Sequence, residues 1–338
     1  MKPLVELHLH LDGSLRIPTM LEIASSEGIR LPATDEAGLR QALSCGTVRE
    51  SLAQYLEHFA HTTAVMQSRK ALTRIACELI EDCAADGLKY VEVRFMPSLH
   101  TSGGLAEEEV MEAVLEGMTI GGLRHGLGGG LIVCSMRHVD PSVTGRMVDL
   151  AIRYRRNGVV AVDLAGDDNL PALEHAPHFR RAKEAGLHVT IHAAEGGPPE
   201  RVMEAMEIFG AERIGHGIQA LRDPKLQFEL WTRRVGVEAC LSSNVQTKAA
   251  ASYSDHAARA YMEFGGLICL NTDNRLLAGT TMVHELALAR LFWKLQPVQV
   301  RRLIWNAIEM AFISKEAKTA LHAELRADAV TDASPPNP

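Results

Sequence analysis

Short apolar runs alternate with amphipathic helical patterns eight times along one chain. Polar or ionisable residues close nearly every run. Together these two observations predict an α/β fold, specifically a (β/α)8 TIM barrel with extra helices between strands one and two and at the C-terminus. A doubly wound open sheet is the competing arrangement. The run ends favour the barrel, because barrel sites are assembled from the C-terminal ends of several strands. Those ends read His8-x-His10, Arg94, Arg137-His138, Asp163 with Gly166-Asp167-Asp168, His192-x-x-Glu195, His216, Ser242-Ser243-Asn244 and Asp273-Asn274.

The expected strands are residues 4–8, 88–95, 130–135, 159–164 and 187–193, with weaker ones at 213–216, 235–240 and 267–271. The third, fourth and eighth are almost wholly apolar, as strands of a parallel sheet covered on both faces should be. Helices are expected at 70–85, 107–124 and 144–156, where apolar residues recur at three and four. Two more, at 298–312 and 314–325, precede a polar, proline-rich end. One domain over residues 1–328 and a disordered tail over 329–338 follow from this. Between strands one and two lie about 80 residues, more than one βα connection needs. They carry an apolar stripe, Leu52, Tyr55, Leu56 and Phe59, which reads either as core packing or as a helical lid over the barrel mouth.

Composition excludes several classes. The net charge is −7 and no basic cluster occurs, so nucleic acid and anionic membrane are poor partners. No run of about 18 apolar residues exists, so no membrane span is expected. The first residues do not read as a secretory signal, and a cytoplasmic protein is expected. Six scattered cysteines contain no Cys-x-x-Cys pair, which argues against a zinc finger or a redox centre. Gly126-Leu-Gly-Gly-Gly130 precedes a strand and opens no helix, so it reads as a helix stop, not a phosphate loop. His322-Ala-Glu324 lacks the Pro-Cys-x-x-Cys half of a cytidine-type zinc site.

His8 and His10 point to the same side of a strand, about 7 Å apart along the backbone, a spacing that suits two imidazoles closing on one ion. With His192 and Asp273 they form a three-imidazole, one-carboxylate set suited to a single Zn²⁺ with a position left for water. Zinc lowers the pKa of that water towards neutrality. His216, between glycines at a strand end, could hold the resulting hydroxide and take its proton, and Glu195 could donate a proton to the substrate. The competing readings are an N-cap role for Asp273 and an ordinary loop histidine at 216. A binuclear centre would need a bridging ligand, often a modified lysine, at the fourth strand. That strand ends Val162-Asp-Leu-Ala-Gly166 and offers none.

At this point the sequence resembles the adenosine deaminases of the amidohydrolase superfamily. The likeness runs nearly end to end, through Glu6-Leu-His-Leu-His-Leu-Asp-Gly-Ser14, Tyr90-Val-Glu-Val-Arg-Phe95, Asp163-Leu-Ala-Gly-Asp167, His192-Ala-Ala-Glu195, Arg213-Ile-Gly-His-Gly217, Ser242-Ser-Asn244 and Asn271-Thr-Asp273. The resemblance implies a (β/α)8 barrel, one zinc per chain and hydrolytic removal of the 6-amino group of a purine nucleoside. By it, His8, His10, His192 and Asp273 would be the zinc ligands, Glu195 the acid that protonates N1, and His216 with Asp273 the pair that orients the attacking hydroxide. Gly166 would offer its backbone N–H to N3, and Asp12 would accept from the ribose 5′-hydroxyl. His10 would count among the substrate contacts as well as the ligands. Leu52, Leu56 and Phe59 would belong to the family's apolar lid.

Three departures from the family pattern stand out. Ala194 replaces a glycine after His192-Ala193. Leu241 follows Cys240 where proline is usual. Asn274 follows Asp273 where many relatives carry a second aspartate against N7; an amide can donate to an unprotonated N7, which a carboxylate cannot. The expected reaction is deamination of adenosine and 2′-deoxyadenosine to their inosine counterparts and ammonia. The alternatives are a modified adenine nucleoside such as 6-amino-6-deoxyfutalosine, free adenine (disfavoured because such relatives tend to carry glutamate at position 12), and a non-catalytic nucleoside-binding barrel. The expected partner is a small-molecule purine nucleoside. Oligomeric state is not legible, and monomer is the default.

Overall fold

Apolar runs rich in Val, Ile and Leu form the eight strands of a computed structural model that describes residues 3–44, 46–48 and 58–332, with side chains described as far as residue 328. They are β1 (Leu4–His10), β2 (Leu88–Phe95), β3 (Gly128–Met136), β4 (Val159–Ala165), β5 (His188–Ala193), β6 (Arg213–His216), β7 (Gly236–Ala239) and β8 (Ile268–Leu270). Neighbours in sequence are neighbours in space, in the order β1 to β8, and every pairing is parallel. The ring shuts where the chain beyond β8 meets β1. His10 N donates to Asp273 O at 2.7 Å and Asp273 N donates to His8 O at 2.9 Å. The expected (β/α)8 barrel is therefore the fold, and the open sheet is not.

Three strands run further than expected, β4 by the single residue Ala165. β1 continues through His10, because His10 pairs with Arg94 of β2 and does not enter the following turn. β3 starts at Gly128, because Gly128 and Gly129 already pair in the parallel ladder with Tyr90 and Val91 of β2, ahead of Gly130 opposite Glu92. A Cβ on Gly130 would lie 2.8 Å from the Tyr90 hydroxyl. Gly126 caps the preceding helix in the left-handed conformation, as a helix stop should.

The extra segment between β1 and β2 contributes α1 (Ile17–Glu27), α2 (Glu36–Ala42) and α3 (Phe59–Ala64) before α4 (Arg69–Ala85), which Ser68 caps through its hydroxyl. Leu52, Tyr55 and Leu56 lie outside the described residues. After β2 come α5 (Glu107–His125), α6 (Pro141–Tyr154), α7 (Ala176–Glu184) and α8 (Arg201–Glu207). They are followed by α9 (Pro224–Thr232), α10 (Leu241–Gln246), α11 (Ala257–Phe264) and α12 (Met282–Trp293). The chain ends in α13 (Pro297–Met310) and α14 (Lys315–Asp332), the latter running beyond the expected 325. The remainder of the expected tail lies outside the described residues. His322 sits in α14 stacked on Trp305 at 3.6 Å, remote from any strand end.

Helix faces and strand flanks bury the apolar core around the sheet. The barrel interior is different, for it contains charge. Arg213 bridges Glu92 (2.5 Å) and Glu238 (2.6 Å), and Arg94 bridges Asp163 (2.9 Å) and Glu238 (2.8 Å), all fully buried. Charges so placed need close partners, since an unpaired one would cost several kcal/mol of desolvation. They form the floor on which the strand-end residues rest.

Candidate active site

The strand ends meet at one rim. His8 and His10 leave β1 on the same face, His192 leaves β5, His216 ends β6, and Asp273 follows β8. His10 Nε2 lies 3.3 Å from His192 Nε2 and 3.4 Å from Asp273 Oδ1; His8 Nε2 lies 3.5 Å from the same carboxylate oxygen. The ligand-type atoms of His8, His10 and Asp273 all fall within 4.8 Å of one another, as do those of His8, His192 and His216. Residues 265 apart in the chain thus converge as expected. Gly215 makes this possible, because a Cβ there would meet the His8 ring at 3.0 Å.

Two buried carboxylates orient these rings. Glu238 Oε2 accepts from His8 Nδ1 at 2.8 Å, and Asp163 Oδ2 faces His192 Nδ1 at 2.9 Å. Each contact places the hydrogen on Nδ1 and turns the Nε2 lone pair inward, the arrangement that metal-ligating histidines use. His8 Nε2 is buried with no hydrogen-bond partner. An unpartnered, inward lone pair among two more imidazoles and a carboxylate fits a divalent cation of the zinc type. Burial lowers His8 to about 4 and His10 well below the usual imidazole range, so both rings are neutral and free to ligate. Burial alone would raise the Asp273 carboxyl, but the His8, His10 and His216 imidazoles gathered around it hold it well below the carboxylate range.

The cluster opens into a cavity of about 170 Å³ lined in part by His10, Asp12, Gly166, His192, Glu195, His216, Asp273 and Asn274. All the sequence-derived contacts among the described residues are therefore brought together, including Phe59 from α3. Leu52 and Leu56 lie outside the described residues. Burial raises the Glu195 carboxyl, and the charges of Asp273 and Asp168 add to this against the lowering effect of His216. Thr247 Oγ1 donates to Glu195 Oε1 at 3.0 Å, and Asp168 accepts the Glu195 backbone N–H at 2.7 Å. Burial pushes Asp12 up to about 7, and one of its oxygens lacks a partner, as does Asn274 Oδ1.

Three site residues adopt left-handed backbone without being glycine: Ala194 (φ 54), His216 (φ 64) and Asp273 (φ 60). Such conformations cost of order 1 kcal/mol or more each and gather at functional sites. Ala194 thus keeps, with a methyl group, the conformation for which glycine is suited. Asp273 caps no helix, and the bridge to Leu9 explains its position instead.

Sequence reasoning missed Leu99 and Met136 in the lining, and gave no role to Ala165 and Ser243 within the strand-end motifs or to His138 at the exposed mouth. It also missed Glu238. An acidic residue in the middle of an apolar parallel strand was the available signal, since such a charge demands a buried partner.

The adenosine deaminase family model matches residues 3–328. The chain belongs to the adenosine deaminase family. It is 39% identical to the adenosine deaminase of Clostridium botulinum (strain 657 / Type Ba4) over 94% of this chain and 97% of that one. It is 36% identical, over 95% of its own length, to a probable adenosine deaminase of Dictyostelium discoideum, of which it spans only 42%. Among solved structures, an adenine deaminase from Arthrobacter aurescens superposes with a TM-score of 0.91 at 25% identity, covering 98% of this chain and 100% of that one. The apo N6-methyl-AMP deaminase of Arabidopsis thaliana superposes with 0.86 at 27%, covering 98% of both. The adenosine deaminase family comprises metal-dependent amidohydrolases, and the chain is accordingly a hydrolase of that type. No helix among the described residues is long and apolar enough to cross a membrane.

Proposed function

We propose that the protein hydrolyses adenosine and 2′-deoxyadenosine to inosine and 2′-deoxyinosine with release of ammonia. One observation supports this reading above others: a raised, buried carboxyl (Glu195), an ion-ready cluster and an Asp12 with one unsatisfied oxygen share one cavity. His8, His10, His192 and Asp273 would hold one zinc ion, which when bound would supply a water acidified towards neutrality. Glu195 gives its proton to N1 and draws electron density from C6. His216 and Asp273 flank the attacking oxygen and aim it at C6. Gly166 (φ 91) presents backbone to the cavity and binds N3, and Asn274 meets N7. Phe59 and Leu99 exclude water above the base.

Asp12 accepts from the 5′-hydroxyl and marks the substrate as a nucleoside. A nucleotide is disfavoured, because the described lining residues include no Lys or Arg and a 5′-phosphate would face the Asp12 carboxyl. Initial rates on adenosine, 2′-deoxyadenosine, 6-amino-6-deoxyfutalosine, adenine and N6-methyl-AMP test the assignment. Adenosine and its 2′-deoxy form are expected to be turned over fastest. A preference for any of the other three would replace the proposed substrate, and no turnover of any would favour a non-catalytic barrel.

A further inference from the structure

Behind His216 lies a hydrogen-bonded chain that the reading above does not use. We propose that Asn244 and His256 are positioning residues that hold His216 as the tautomer with its hydrogen on Nε2, so that His216 meets the attacking water as a donor; this rests on the deaminase reading. Two backbone N–H groups give the chain its direction. Cys240 N donates to Asn244 Oδ1 at 3.4 Å, which places the amide oxygen on that side. Ala258 N donates to His256 Nδ1 at 3.3 Å, so that nitrogen carries the lone pair and the hydrogen sits on Nε2. His256 Nε2 lies 3.3 Å from Asn244 Oδ1 and donates to it. With its oxygen facing two donors, Asn244 turns Nδ2 to His216 Nδ1, at 3.0 Å. An amide nitrogen only donates, so His216 Nδ1 must accept and Nε2 must hold the hydrogen. His216 Nε2 faces Glu195 Oε2 at 3.6 Å, on the cavity side.

Water cannot compete for these groups, since Asn244, His216 and His256 are all buried. Burial also lowers His256 to about 3, which keeps its Nδ1 available to Ala258 N. The consequence is a division of labour. A neutral imidazole with Nε2–H has no lone pair there to take a proton, so the water's proton passes to the Asp273 carboxylate. The water oxygen bonds to C6, the C6=N1 electron pair moves to N1, and N1 takes the proton of Glu195. His216 keeps its hydrogen and lends it to the oxygen throughout.

Long-range ¹H–¹⁵N spectra of the histidine-labelled protein, metal-free and zinc-loaded, read the tautomer directly. The His216 signals are identified by their loss in His216→Gln. We expect a protonated Nε2 and an accepting Nδ1. In Asn244→Asp, where the carboxylate only accepts, the hydrogen should move to Nδ1 and kcat should fall about 10²-fold with KM within about threefold. His256→Gln, whose amide can accept from Ala258 and donate to Asn244, should retain the tautomer and kcat within about threefold, which a loss of mere bulk packing would not single out. A hydrogen on Nδ1 in the unaltered protein, or an unmoved tautomer in folded Asn244→Asp, overturns the proposal. The spectra need no substrate, so the expected tautomer without adenosine turnover would support the positioning roles and count against the deaminase reading alone.

Discussion

Arg94 donates to Asp163 Oδ2 at 2.9 Å, and the same oxygen faces His192 Nδ1 at 2.9 Å. The other arm of the guanidinium donates at 2.8 Å to Glu238 Oε2, the oxygen that receives His8 Nδ1. One planar fork therefore braces two carboxylates, each of which aims one imidazole of the cluster. Burial would raise Glu238, but Arg94 and Arg213 hold it well below the carboxylate range. A lysine is a point charge on a flexible stem and cannot serve both oxygens in this geometry. Arg94→Lys should weaken zinc binding about 10- to 100-fold, as loss of a ligand-orienting contact does. Competition with a chromophoric chelator measures it, and an unchanged affinity would remove Arg94 from the account.

Glu195 can serve as the proton donor only if it reaches the cavity protonated, and burial raises it in that direction. The amide of Glu195→Gln keeps the Thr247 contact but has no acidic proton to give. Turnover should fall about 10²- to 10⁴-fold, the range for loss of a general acid. Metal content, measured on the same sample, should stay at the unaltered level.

In the proposed reaction Asp12 is the residue that would distinguish a sugar-bearing substrate from a bare base. Asp12→Ala removes one charge-assisted hydrogen bond, a change of about 1.5–3 kcal/mol. The KM for adenosine should therefore rise about 10- to 100-fold, while the small rate on adenine should not change. Parallel rates on the two substrates check this, and an equal loss on both would place Asp12 elsewhere than at the ribose.

How much of this was legible beforehand follows from the kind of residue involved. His8, His10, His192, His216 and Asp273 announce themselves because ionisable groups end apolar strands, and topology alone carries them to one rim. Leu99 and Met136 do not, because both are apolar: Met136 closes β3 and Leu99 sits in the turn after β2, and neither differs in type from a core residue. Ser243 falls inside a strand-end run but is uncharged, and nothing in the run gives it a role. Nor does any pattern foretell the left-handed backbone at His216 and Asp273; that of Asp273 accompanies the closure of the ring through Leu9. Glu238 lay in plain view as a lone charge in an apolar strand, but its partners are distant in sequence. The lid stripe remains legible only in Phe59, since Leu52 and Leu56 lie outside the described residues.

Glu285 carries a pH dependence remote from the chemistry. Burial pushes its carboxyl up to about 7, against the lowering effect of bonds from Ser242 and Thr280. A carboxyl that holds its proton more tightly when folded contributes stability that is complete below its unfolded pKa near 4.5 and is lost as pH rises towards 7. The loss across that window should be about 3 kcal/mol for the unaltered protein. Glu285→Gln should lack this contribution. Urea unfolding of both proteins at either end of the window measures the difference, and parallel pH profiles would contradict it.

The central claim is that one cation, gripped by His8, His10, His192 and Asp273, makes this cavity an adenosine deaminase. Adding zinc stepwise to the metal-free protein while following loss of adenosine tests it most directly. The rate should climb linearly and break at one equivalent per chain. A break at two equivalents, or a rate indifferent to zinc, would contradict it.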